Sequence, residues 1–224
     1  MSQGLLFLSY LPLLLKGALS TLEVTLMAEA VVITASAIAG FARLSNRRIV
    51  LGLASVYVEI FRGTSGLVQL YFFFFVLPIL GLFMNPIPAG VLALGLNFGA
   101  YGSEIVRAGI LGVDPGQREA GVALNMSSRT IMWRIILPQA IVAMVPQFVN
   151  LSVELLKATA LVAVVGIHEL TYIGKVIAGN TGWILQSYSV ALLLYFLLGF
   201  PLSRLGRTLE RQVSKGLGLV RAER

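Results

Sequence analysis

Four polar residues, Gln147, Asn150, Glu154 and Lys157, recur at intervals of three, four and three within an otherwise apolar run. On a helix that spacing puts them on one stripe. Asn97, Tyr101, Glu104 and Arg107 form a second stripe, at intervals of four, three and three. A stripe that offers both a carboxylate and a cation can meet a zwitterionic solute, since charges inside an apolar run are costly unless they face a cavity or one another. The competing account is structural: Glu154 with Lys157, Glu104 with Arg107, and Glu59 with Arg62 are each spaced i,i+3 and can pair to fix helix packing. Covalent chemistry has little to work with. With no cysteine and a single histidine, His168, the chain has no disulfide or thiolate metal site and no second histidine for a catalytic metal centre.

The elements that must carry these stripes follow from composition. The chain is 57% hydrophobic and 12% charged, against a charged fraction of about 25% in ordinary soluble domains. Its apolar runs are long and continuous, so the expected fold is an all-α integral membrane protein, because lipid leaves every backbone group to be satisfied within the segment. Charges mark the ends of five spans, at about 21–42, 49–80, 89–111, 135–165 and 183–203. The second is too long for one straight span. Its opening part, Ile49 to Arg62, is amphipathic, and Arg62-Gly63-Thr64-Ser65-Gly66 predicts a helix break that can serve as a gate. No charge occurs from Gly63 to Ser103, a stretch of 41 residues that Asn85-Pro86-Ile87-Pro88 divides in two. The apolar opening run lacks a basic start and a small-residue cleavage site; it is expected to lie in the membrane interface. Phe72 to Phe75 read as lipid or packing surface, His168 with Glu169 near the outer end of the fourth span as an interfacial hydrogen-bonding histidine or a gate, and Gly95, Gly99 and Gly102 as a close helix contact that fits a dimer interface as well as a bend.

With the N-terminus outside and the C-terminus cytoplasmic, 13 of the 17 cations fall on the cytoplasmic side, including the tail 204–224. Basic loops favour that orientation. The formal charge of +7 therefore points to loops and lipid headgroups, and no nucleic acid is expected as a partner. Residues 114–134 become a cytoplasmic excursion. Asp114-Pro115 is a helix start, Asn125 suits the left-handed position that closes a helix, and Ser127 or Ser128 can cap a second short helix running through Trp133 toward the fourth span.

Within this excursion Glu119-Ala120-Gly121, Asn125, Ile135 and Leu137-Pro138 resemble, at the same spacing, the EAA motif of permease subunits of bacterial ABC importers. Gly121 stands for the motif's second alanine and Asn125 for its glycine. Tyr57 to Gln69 is similar to the YVExxRGTPxLVQ segment of the polar amino-acid uptake permeases, with Ser65 for proline; Gly99 to Ile110 and Gly116 to Ala120 resemble their GAYxxExxRxGI and GQxEA runs. Leu156-Lys157-Ala158-Thr159-Ala160-Leu161 resembles LKDTSL, with Ala158 and Ala160 departing from it.

The resemblance implies a bacterial inner-membrane importer in which two permease subunits of about five helices each, identical or related, form the pathway. A cytoplasmic ATPase dimer powers it and an extracytoplasmic solute-binding protein delivers the solute. A short surface helix docks into the ATPase, so Arg118, Glu119, Ala120, Gly121 and Asn125 are the expected coupling residues. The solute is a polar amino acid or a small zwitterionic osmolyte such as a betaine or ectoine. No G-x-x-x-x-G-K-[ST] loop occurs in the chain, so ATP and Mg belong to the partner. Two other classes remain: a stand-alone carrier or channel, for which internal repeats are expected, and a membrane enzyme, which needs a nucleophile and base or metal ligands.

Overall fold

The computed structural model describes residues 9–216; the opening eight residues and residues 217–224 of the basic tail lie outside the described part. All described regular structure is helical: α1 (Leu11–Ala42), α2 (Arg48–Gly63), α3 (Gly66–Ile79), α4 (Pro86–Leu111), α5 (Pro115–Ala123), α6 (Ser128–Val165), α7 (Leu170–Thr181) and α8 (Ile184–Gly216). Four of them, α1, α4, α6 and α8, are long and apolar enough to cross a membrane alone, and the bent pair α2–α3 makes a fifth if counted as one span.

Several boundaries differ from the sequence expectation. Helix α1 starts at Leu11, not near Thr21, so the apolar run from Leu11 to Gly17 is continuous with the helix of the first span. Pro12 sits in its first turn, where a missing N–H costs nothing. Helix α8 continues to Gly216, so part of the basic tail is helical. The second short helix expected after Asn125 is not separate from the fourth span: α6 runs on through a π-helical turn at Met132–Ile136 and finishes in 3-10 turns at Thr159–Val165. Helix α7 was not foreseen at all; left-handed glycines flank it, Gly166 at φ +82° and Gly182 at φ +73°.

The core forms where α1, α4 and α6 meet, around Val24, Val32, Leu94, Leu151 and Leu155. Small residues let α1 and α4 approach closely. A Cβ at Gly95 would lie 2.5 Å from Val31 Cβ, and one at Gly99 would lie 2.7 Å from Ala35 Cβ. Ser36 on α1 donates across this contact to the Gly99 carbonyl at 3.2 Å. Such close backbones replace the hydrophobic driving force that lipid removes. A second cluster, including Leu14, Leu170 and Ile177, ties the start of α1 to α7 and α8.

Candidate functional site

Helix α6 separates its two faces sharply. Leu151, Val153, Leu155 and Leu156 are buried, while Gln147, Asn150, Glu154 and Lys157 are all exposed on one stripe. Glu154 and Lys157 do not pair: among the described residues both ion pairs end on Glu104. This face is therefore uncovered within the subunit and needs a cavity or another chain to cover its charges. Gln147 also lines a recess of about 490 Å³ with Ala108, Gly109, Asp114 and Gln139, which carries the polar face to the start of α5.

The α4 stripe divides. Asn97 is only 7% exposed, and its carboxamide donates to the Phe61 carbonyl at 2.8 Å and to Gln69 Oε1 at 3.1 Å. Within the subunit it is buried and bonded to both sides of the helix break. The break itself lies at Thr64 and Ser65, both extended, where α2 and α3 meet at 105°. Carbonyls freed at such a break need donors. Gln69 Nε2 reaches the Phe61 carbonyl at 2.9 Å and Thr64 Oγ1 at 2.7 Å, and the Thr64 hydroxyl donates to the Ile60 carbonyl. Gln69 was not singled out from the sequence; its signal was an amide in a charge-free run, three residues after Gly66.

Glu104 corrects the local pairing scheme. Its Oε1 accepts from Arg43 at 2.5 Å and Arg62 at 2.9 Å, so it joins the ends of α1 and α2 to α4 instead of pairing with Arg107. Arg62 pairs with Glu104 and not Glu59, and its guanidinium lies over the half-exposed Tyr101 ring at 5.3 Å. Local i,i+3 geometry lost to tertiary contacts because helix ends place long arginine side chains beside a neighbouring helix.

On the far side of Gly112 the chain turns into α5. Asp114 Oδ1 accepts from the Gly116 amide at 2.7 Å, with Pro115 in the first turn. The helix closes at Leu124, and Asn125 takes φ +56°. The Asn125 amide donates to the Val122 carbonyl at 2.8 Å and the Met126 amide to the Gly121 carbonyl at 3.0 Å, a Schellman closure with asparagine in the left-handed position. Ser127 then caps α6 by accepting from the Thr130 amide. Gly121 alone of α5 is buried; a Cβ there would meet Ile131 Cγ1 at 2.8 Å, so its departure from alanine lets α5 lie close on α6. Arg118, Glu119 and Ala120 are exposed, as are Val122 and Leu124 at 64% and 75%. A helix held at both ends by caps, with apolar residues turned outward, is built to be covered by something else.

At the other end of the bundle Glu169 is fully buried and was undervalued by sequence reading. It caps α7 by accepting from the Thr171 and Tyr172 amides at 2.9 and 2.7 Å, and accepts from Tyr195 Oη at 2.6 Å. Burial pushes its carboxyl above the usual carboxylate range, against the pull of those hydrogen bonds. His168 beside it is exposed and stacks on Tyr172 at 4.6 Å. Among the described residues no three His, Cys, Asp or Glu side chains group as metal ligands.

Comparison with known proteins places this geometry. The family described as binding-protein-dependent transport system inner membrane component matches residues 31–215. A probable amino-acid ABC transporter permease of Sinorhizobium fredii, y4tF, is 43% identical over 93% of this chain and 90% of its own length. The L-cystine transport system permease TcyB of Bacillus subtilis is 36% identical, over 92% of this chain and 89% of its own length. The glutamine transport system permease GlnP of Escherichia coli is also 36% identical, over 91% and 94%. The crystal structure of an amino acid ABC transporter with histidines superposes with a TM-score of 0.89 at 33% identity, covering 95% of this chain and 99% of that one. A methionine ABC transporter in an inward-facing form shares the fold, with a TM-score of 0.74 at 21% identity. The chain belongs to the inner-membrane components of binding-protein-dependent transport systems: it is a multi-pass permease subunit of an ATP-driven ABC importer, which works with another permease subunit and a solute-binding protein and leaves ATP hydrolysis to a separate subunit.

Proposed function

We propose that this subunit lines half of the route for a polar amino acid, with the N-terminus outside, the C-terminus cytoplasmic and α5 seated on a cytoplasmic ATPase dimer. The observation that carries the reading is the exposed stripe of Gln147, Asn150, Glu154 and Lys157, whose two charged members have no ion pair among the described residues. In lipid these groups are costly; against a second permease subunit they form one wall of a polar passage. The relatives named for glutamine, L-cystine and unspecified amino acids support the solute class. The recess from Gln147 to Asp114 supports coupling, because movement of α5 reaches the inner end of the stripe through contiguous packing.

The experiment is ATP-dependent uptake of a panel of amino acids, betaine and ectoine by proteoliposomes holding the permease, its ATPase and its binding protein. Amino-acid uptake is expected, with Glu154→Gln lowering flux without loss of assembly and Glu119→Lys leaving ATP hydrolysis uncoupled from uptake. Uptake of the osmolytes alone rejects the solute class; normal flux in Glu154→Gln rejects the stripe. Because the chain has no cysteine, labelling of Ser128→Cys from one side of the membrane tests the orientation directly.

A further inference from the structure

We infer that Arg129, Trp133 and Arg134 form a binding site for the headgroup of an anionic phospholipid at the cytoplasmic membrane surface. This rests on the orientation proposed above. With Thr130 these residues line a recess of about 550 Å³ on the first turns of α6. Positions 129, 130, 133 and 134 are pairs four apart, so their side chains share one side of the helix. Ile131 and Ile135 turn the other way, against Gly121 of α5. The recess therefore opens away from the face on which α5 packs.

Its charge is unbalanced. Neither arginine has an ion pair among the described residues, where both pairs belong to Glu104, and no carboxylate lines the recess. Thr130 is occupied with the cap, its hydroxyl 2.8 Å from Ser127 Oγ. Two free guanidiniums present planar donor forks to a phosphate. Trp133 fixes the depth: its ring stacks on Phe41 at 6.4 Å, one residue before α1 ends at Ala42, and the residue is still 59% exposed. An exposed indole at the level where a spanning helix ends is placed for the lipid–water interface, with its apolar body toward acyl chains and its N–H toward headgroups. A soluble anion accounts for the arginines and leaves the exposed indole unexplained. A lipid accounts for both.

The test uses the intact permease–ATPase complex, purified from detergent and offered mixed phosphatidylglycerol and phosphatidylcholine, with native mass spectrometry reading the lipid retained. That readout does not depend on which way the chain is inserted, so failure of the site and failure of the orientation remain separable. Wild-type complex is expected to keep phosphatidylglycerol in preference. Arg129→Gln with Arg134→Gln should lower that preference roughly twenty-five-fold, about fivefold for each cation, and Trp133→Ala should weaken retention of both lipids. Equal retention of the two lipids by wild type overturns the site. So does displacement of phosphatidylglycerol by millimolar inorganic phosphate. Loss of the ATPase subunit from the double variant, with lipid preference intact, also overturns it and assigns the surface to that partner.

Discussion

Asn125 ties the backbone geometry of α5 to the coupling role proposed for that helix. Its side chain is exposed and its φ is +56°, so a substitution there acts on the backbone and not on packing. An ordinary L-residue in the left-handed region costs about 1–2 kcal/mol, and a β-branched one is the least tolerated. In Asn125→Val that cost falls on the closure formed by the Asn125 and Met126 amides with the Val122 and Gly121 carbonyls. The frayed state of the last turn of α5 should become roughly 5- to 30-fold more populated, the factor that about 1–2 kcal/mol implies. Hydrogen–deuterium exchange of the assembled transporter reads it as a matching loss of protection in peptides spanning residues 115–131. Uptake assays should show more ATP consumed per solute, because a frayed helix transmits less movement. Asn125→Gly, which adopts the same φ freely, should keep both protection and coupling. If valine leaves exchange unchanged, or if glycine is as damaging as valine, the backbone argument is wrong.

Three further outcomes probe the frame. Asn97→Leu leaves Gln69 Oε1 without the donor it now has and strips one donor from the Phe61 carbonyl; a loss of about 1–3 kcal/mol should appear as a lower Tm of the solubilised permease, and an unchanged Tm rejects the role in the break. Gly95→Ala drives a Cβ to 2.5 Å from Val31 Cβ and should cost about 1–3 kcal/mol, whereas Gly52→Ala, with nothing within 4 Å, should gain up to about 1 kcal/mol; thermal unfolding that ranks the two the other way contradicts the packing. Glu169→Ala removes the cap of α7 and the Tyr195 acceptor, at a cost of about 1–2 kcal/mol. Limited proteolysis should then cut more readily between α6 and α8, with Glu169→Gln intermediate because one side-chain oxygen remains.

Much of the stretch 114–134 was legible because its determinants are local. Asp114-Pro115, Asn125 and Ser127 each act on backbone groups within a few residues, so residue type and spacing predict their geometry. The α6 stripe was legible for a similar reason: period and polarity alone put four polar residues on one face. Asn97 obeyed the same period on α4, but periodicity gives a direction around the helix and not the neighbour found there. That neighbour is the broken end of α2, whose Phe61 carbonyl needs a donor.

Helix α7 escaped because its start depends on Glu169, a residue that reads as charge and works as a buried cap. The sequence by itself determined that the chain is helical and membrane-spanning, where α2 breaks, where α5 and α6 are capped, and that α6 carries a polar stripe, since these follow from backbone satisfaction in lipid, local capping and helical period. Tertiary structure alone decided that Glu104 joins Arg43 and Arg62, that Asn97 serves the break, and that Arg129 and Arg134 have no ion pair among the described residues. Those partners lie up to 61 residues apart in the chain, and no local spacing encodes which helix ends will meet.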